Sequence, residues 1–215
     1  CPVQEFAPDA TFAINVHNEK KATDFLTANG LKAGEFICVI PRLRYTPNWK
    51  LKGRVRTEED KWKDEVSALF KERDAVKLRE VITRWVRETG LKVLACPEVT
   101  YQVELSKETL VDPLPEEIRK NVVWRDSFWL PDEAASVYAK ARALVACEPH
   151  SPIIAFAEGV PSIHIKQPSD TRKGQMWKDI GLEDWYFLID ETPASQISET
   201  LLNIHRHYPE AKAKL

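Results

Sequence analysis

Glycine is scarce, with seven in 215 residues. None falls in a Gly-x-Gly-x-x-Gly or P-loop pattern, which argues against the standard cradles for dinucleotides and nucleoside triphosphates. No apolar run approaches the ~20 residues that a membrane-spanning helix needs. Neither charge is in excess: 31 basic and 33 acidic residues leave a net charge of -2. That gives no general attraction to nucleic acid or to anionic membranes. A basic cluster at Lys50, Lys52, Arg54 and Arg56 is followed at once by Glu58, Glu59 and Asp60. Cysteines stand only at 1, 38, 96 and 147, without a Cys-x-x-Cys pair. Three of them sit in or at the end of apolar runs, the placing of buried free thiols rather than of a disulfide framework or a zinc site. A reducing, cytoplasmic compartment is the expectation.

What is present suits one folded unit. Hydrophobic residues make up 43% and charged residues 30% of the chain, ordinary values for a globular protein. The length fits one domain with a full core. The first residue is Cys rather than Met. The expectation is a piece of a longer protein, with 1–18 a connector from a missing N-terminal part and 19–215 a single α/β domain that includes the C-terminal helix.

Short apolar runs alternate with helical patterns. The runs are "FICVI", "KVLAC", "NVVW", "ALVAC", "PSIHI" and "WYFLI". Continuous apolar strands mean that both sheet faces are covered. Helices are expected over Glu19 to Ala28, around Trp62 to Phe70, around Leu78 to Val86 and over the "EVTYQVELSKETLV" segment. Others are expected over Asp132 to Arg142, Ser151 to Glu158 and Thr171 to Ile180, and from Thr192-Pro193 onward, with Asp132 and Ser151 as N-caps. A short strand is expected over Thr11 to Val16. The fold class is α/β with a doubly wound, mainly parallel, Rossmann-like sheet.

In such a sheet ligands bind beyond the carboxyl ends of the strands. After "ALVAC" come Glu148, Pro149, His150 and Ser151. A helix starting at Ser151-Pro152 would offer backbone N–H groups to phosphate or carboxylate. A carboxylate at Glu148 would help keep His150 protonated, the state of a general acid. After "FICVI", Arg42 and Arg44 lie two apart and point the same way in an extended segment, a pattern suited to anions. Lys166, Arg172 and Lys173 add basic groups after "PSIHI", with Ser169 or Asp170 as a helix cap. Each of these residues also has a plainer reading, as a loop histidine or as surface charge. Trp49 is a candidate sugar platform or simple packing under its loop. His164 is expected to be structural, and His205 with His207 too badly placed for a metal pair.

The segments "EPHSPIIAFAEGVPSIHIKQ", "DTRKGQMWKDIGLEDW" and "FICVIPRLRYTPNWK" together resemble the C-terminal half of the polysaccharide pyruvyl transferase family, over roughly Phe36 to Asp190. The resemblance implies a glycosyltransferase-B-like fold with its site between two halves. It also implies transfer of an enolpyruvyl unit from phosphoenolpyruvate to a sugar or glycan acceptor in cell-surface glycan synthesis, without a metal or redox cofactor. His150 would be the acid, assisted by Glu148. Arg42, Arg44, Tyr45, Ser151, Lys166, Gln167, Arg172 and Lys173 would bind substrate. The family's Arg-x-His pattern reads Glu148-Pro149-His150 here, so the arginine is absent and Arg42 or Arg44 would have to supply its charge. The other readings are a nucleotide-sugar-dependent transferase of the same fold and a non-catalytic carbohydrate-binding relative.

Overall fold

The apolar runs become strands because both of their faces are covered. The computed structural model describes residues 9–170 and 174–215. Six parallel strands form one sheet: β1 Phe36–Ile40, β2 Lys92–Ala95, β3 Val122–Trp124, β4 Ala143–Ala146, β5 Ser162–Lys166 and β6 Tyr186–Leu188. Their order is β3-β2-β1-β4-β5-β6, the doubly wound Rossmann-like order. In β1 the side chains alternate between two cores. Ile37 and Val39 join one with Leu78, Ile82, Trp85, Ile197 and Leu201. Phe36, Cys38 and Ile40 join the other with Ala22, Leu26, Ala135, Tyr138 and Ala155. All five β1 residues are therefore buried. The Cys38, Cys96 and Cys147 thiols are free and buried.

The helices in chain order are α1 Glu19–Ala28, α2 Asn48–Leu51, α3 Glu58–Thr89, α4 Gln102–Ser106, α5 Glu116–Arg119, α6 Pro131–Tyr138, α7 His150–Ala157, α8 Gln175–Asp179, α9 Ala194–Arg206 and α10 Tyr208–Ala213. α3 is one helix of 32 residues, where the sequence suggested two. Nothing between Phe70 and Leu78 breaks it, since "KERDAVK" holds neither Gly nor Pro. It starts on a capping box between Thr57 and Asp60 and stops at Gly90, whose φ of 68° is left-handed. Its core contacts are confined to its second half; Trp62 and Leu69 in the first half are exposed. The β-branched "EVTYQVELSKETLV" segment does form helix, as α4 and a π-helical turn over Lys107–Val111.

Four expectations change. Thr11 to Val16 forms no strand: Asp9 accepts the Thr11 N–H and caps a 3-10 turn over Ala10–Ala13. That turn rests on α7 through Phe12, whose ring meets Phe156 edge-on at 5.7 Å. α6 opens with Leu130 at the cap and Pro131 in its first turn, so Asp132 is already inside the helix and accepts instead from the Asn18 amide at 3.1 Å. α7 begins at His150, one residue earlier than expected, with Pro149 at the cap position. The C-terminal helix starts at Ala194 and breaks at His207 before α10. Residues 171–173, and with them Arg172 and Lys173, lie outside the described residues, as do residues 1–8 of the expected connector.

Candidate active site

The sheet reverses direction of winding between β1 and β4, so the segments leaving those strands face each other across the crevice. β1 delivers Pro41 and Arg42; β4 delivers Cys147, Glu148 and His150. Neighbouring β2 delivers Glu98, and β5 delivers Gln167 and Asp170. Arg42 Nε lies 3.4 Å from Glu148 Oε2, and Arg42 Nη1 meets Asp170. Glu148 is nearly sealed from water. Gln102 Nε2 donates to its Oε1 at 2.5 Å. The orientation of that amide is fixed, because Gln102 Oε1 accepts the backbone N–H groups of Glu98 and Val99 at 2.7 and 2.9 Å. Burial pushes the Glu148 carboxyl up to about 7, and the Glu98 charge adds to the rise against the opposing pull of Arg42. The same burial pushes Tyr101, which lies beside Gln102, up to about 12.

His150 stands at the mouth with its side chain 42% exposed. Its Nδ1 lies 3.0 Å from Glu98 Oε1. The other Glu98 oxygen accepts the Ser151 N–H at 2.7 Å. Ser151 is buried, and its hydroxyl pairs with Tyr138 Oη at 3.2 Å. The amide that the sequence assigned to an incoming anion is thus already held by a carboxylate of the chain itself.

Arg42 and Arg44 do not form a free anion fork. Arg44 is buried and donates to both oxygens of Asp74, at 2.9 and 3.0 Å, and to Asp190. Burial works against its charge, but the hydrogen bonds to Asp74 and Asp190 hold its proton more tightly than usual. Its guanidinium also stacks 3.7 Å from the Phe70 ring centre. Each arginine therefore sits between two carboxylates, and the expected surplus of positive charge at these strand ends is neutralised.

The structure brings Arg42, Glu148, His150, Ser151 and Gln167 together. Gln167 is buried and donates from Nε2 to the Arg42 carbonyl at 3.0 Å. Tyr45 turns toward Trp62, ring centres 5.3 Å apart. Lys166 lines a separate groove of about 1390 Å³ between β6, α8, α9 and α10. That groove is large, but its walls mix both charges and it shares no other residue with the His150 cluster. The perturbed and interlocked groups stand at the strand ends. That cluster is the candidate site. Trp49 is occupied: its indole N–H donates to Asp64 at 3.1 Å and Arg56 lies over its ring. His164 is buried between Trp177 and Tyr186, in near-parallel stacks, and burial pushes it down to about 4.

Sequence reasoning passed over Glu98 and Gln102, and read Asp170 only as a helix cap. One signal for Glu98 was available: β2 and β4 both end in Ala and run into Cys, followed by Pro97-Glu98 in one and Glu148-Pro149 in the other. The two carboxylates leave two strands at nearly equivalent points. Among the described residues no group of three or more His, Cys, Asp or Glu side chains is placed to hold a metal ion, and no helix is long and apolar enough to cross a membrane. Comparison with protein-family models gives no match, and a search of curated proteins gives none either.

Proposed function

We propose that the chain carries the acid–base centre of a pyruvyl transferase-like enzyme. In this reading it moves an enolpyruvyl unit from phosphoenolpyruvate onto two hydroxyls of a sugar. The α/β fold, with a parallel sheet flanked by helices, is of a kind broadly compatible with enzymes that bind nucleotides and sugars. The observation that carries the finer reading is His150, paired to a carboxylate and half-exposed at the switch point, next to a buried carboxyl that titrates near neutrality. The resemblance of the surrounding segments to pyruvyl transferases points the same way.

In this reading His150 protonates the methylene carbon of phosphoenolpyruvate. The double bond becomes a methyl group and an oxocarbenium-like centre. One sugar hydroxyl attacks that carbon and its proton returns to the histidine. The C–O bond to phosphate then breaks, the second hydroxyl closes the ketal, and its proton leaves with phosphate. Arg42 is the cation for the donor's negative charge. When Glu148 carries a proton, Arg42 is left with Asp170 as its only carboxylate partner among the described residues, so donor binding and Glu148 protonation support each other. Arg44 is a scaffold for the loop in this scheme and does not touch donor.

Calorimetry with phosphoenolpyruvate and with uridine diphosphate, into the wild type and into Arg42→Gln, tests the assignment. Heat from phosphoenolpyruvate that disappears in the variant is the expected result. Preferential binding of uridine diphosphate would replace the pyruvyl donor with a nucleotide-sugar. An absence of any phosphoenolpyruvate heat would remove the donor assignment for this chain.

A further inference from the structure

Glu98 grips two consecutive residues at once. One oxygen meets the imidazole of His150 at 3.0 Å and the other takes the backbone N–H of Ser151 at 2.7 Å. The carboxylate is itself largely buried, 15% exposed at the side chain, against 42% for the imidazole. Its own backbone is pinned, since its N–H donates to Gln102 Oε1 at 2.7 Å and that amide also holds Glu148. Ser151 is tied from behind by Tyr138. The ring cannot swing about its side-chain bonds without breaking from a carboxylate held at its other oxygen by the Ser151 N–H and anchored through its own main chain.

We propose that Glu98 is the positioning residue for His150. It accepts the Nδ1–H hydrogen bond, so that Nε2 is the nitrogen that gains and loses a proton. A carboxylate on one ring nitrogen selects the neutral tautomer with the proton on that nitrogen and stabilises the imidazolium. Bound this way, the imidazole presents one defined nitrogen in one defined direction, as a general acid must. The assignment of Nε2 as the donor to substrate rests on the reading of His150 above; the tautomer and the grip do not. Among the described residues, the charged and titratable groups of the cluster that holds His150 are Glu98 after β2, Glu148 after β4, Arg42 after β1 and Asp170 after β5, with Tyr101 beside α4 and Tyr138 on α6. Of these, Glu98 is the one in hydrogen-bond contact with the ring at Nδ1.

The test is nitrogen-15 NMR of the imidazole of His150 in the ligand-free protein across pH 5 to 9. His150→Asn identifies its signals among the five histidines. In the wild type above its pKa, Nε2 should show the shift of an unprotonated nitrogen and Nδ1 that of a protonated one. In Glu98→Gln the preference between the two nitrogens should collapse and the apparent pKa should fall by about one unit, the scale of losing one adjacent charge. Glu98→Asp keeps the charge and the Ser151 bond within reach and should restore most of both, which separates positioning from folding. An unchanged tautomer and pKa in folded Glu98→Gln would overturn the proposal and leave Glu98 as a cap for α7. No ligand enters this experiment. A pKa that falls in a protein that binds no phosphoenolpyruvate would keep Glu98 in its role and remove only the donor reading.

Discussion

Glu148 is pushed up to about 7 and His164 down to about 4, in both cases chiefly by burial. The signs for stability are opposite. The folded chain holds the Glu148 proton more tightly than the unfolded chain, so Glu148 contributes stability that is full below about pH 4.5 and is lost as pH rises through 7. The folded chain resists protonating His164, so its contribution is full above about pH 6.5 and is lost as pH falls through 4. Each displacement is worth about 3 kcal/mol between the extremes. Between about pH 4.5 and 6.5 the two contributions oppose each other. Urea unfolding across pH 4 to 8 should therefore show Glu148→Gln gaining on the wild type as pH rises, and His164→Phe gaining on it as pH falls. Parallel curves for wild type and variants would show that neither group titrates where burial places it. Arg44 gives a second prediction at this scale. Arg44→Met strands Asp74 as an uncompensated buried charge and should cost roughly 3–5 kcal/mol. Arg44→Lys should recover only part of that, because an ammonium cannot donate in parallel to both oxygens of Asp74 and also reach Asp190.

Among the elements, α3 divides most sharply. Its 32 residues span roughly 48 Å at ~1.5 Å per residue, more than the sheet can cover. The second half buries Leu78, Val81, Ile82, Trp85 and Val86. The first half carries Trp62 and Leu69 on a face turned away from that core. Ile82→Ala should cost about 2–5 kcal/mol by chemical denaturation, and Leu69→Ala, at 73% exposure, about 0.5 or less. Equal losses would mean that the first half of the helix is packed as tightly as the second. The same helix shows what the sequence could and could not reveal. The strands were legible because a parallel strand buried on both faces leaves an unbroken apolar run, as in "FICVI". Each half of α3 showed its own apolar periodicity, but the fusion left no mark, since a continuing helix has no signal other than the lack of a breaker. At the site, His150 and Glu148 were legible from their place after a strand. For Glu98 the sequence marked only an equivalent position after β2; its role depends on β2 lying beside β1 and β1 beside β4, an order that only the folded sheet supplies. The arginines misled for a related reason. Their residue type suggests anion binding, while Asp74, Asp170 and Asp190, which neutralise them, lie 30, 128 and 146 positions away.

For the whole molecule, the parallel order sets how stability is distributed. β1 and β4 lie at the middle of the sheet with neighbours on both sides, and every residue of both is buried. β3 and β6 are three-residue edge strands, and β3 is only half-buried. Amide exchange should be slowest in β1 and β4, near the global unfolding limit, and fastest in β3 and β6. Comparable protection at the edges would mean that something covers them in solution.

The buried thiols of Cys38 and Cys147 carry a practical consequence. Burial, with the Cys96 neighbour adding to it, pushes the Cys38 thiol upward, and burial with the nearby Asp74 charge does the same for Cys147. A thiol kept protonated and out of water is nearly inert to alkylating reagents. Cys38 and Cys147 therefore act as a built-in clock. Their modification rate under native conditions counts openings of the sheet, at the middle of β1 and just past the end of β4, with no cysteine having to be engineered.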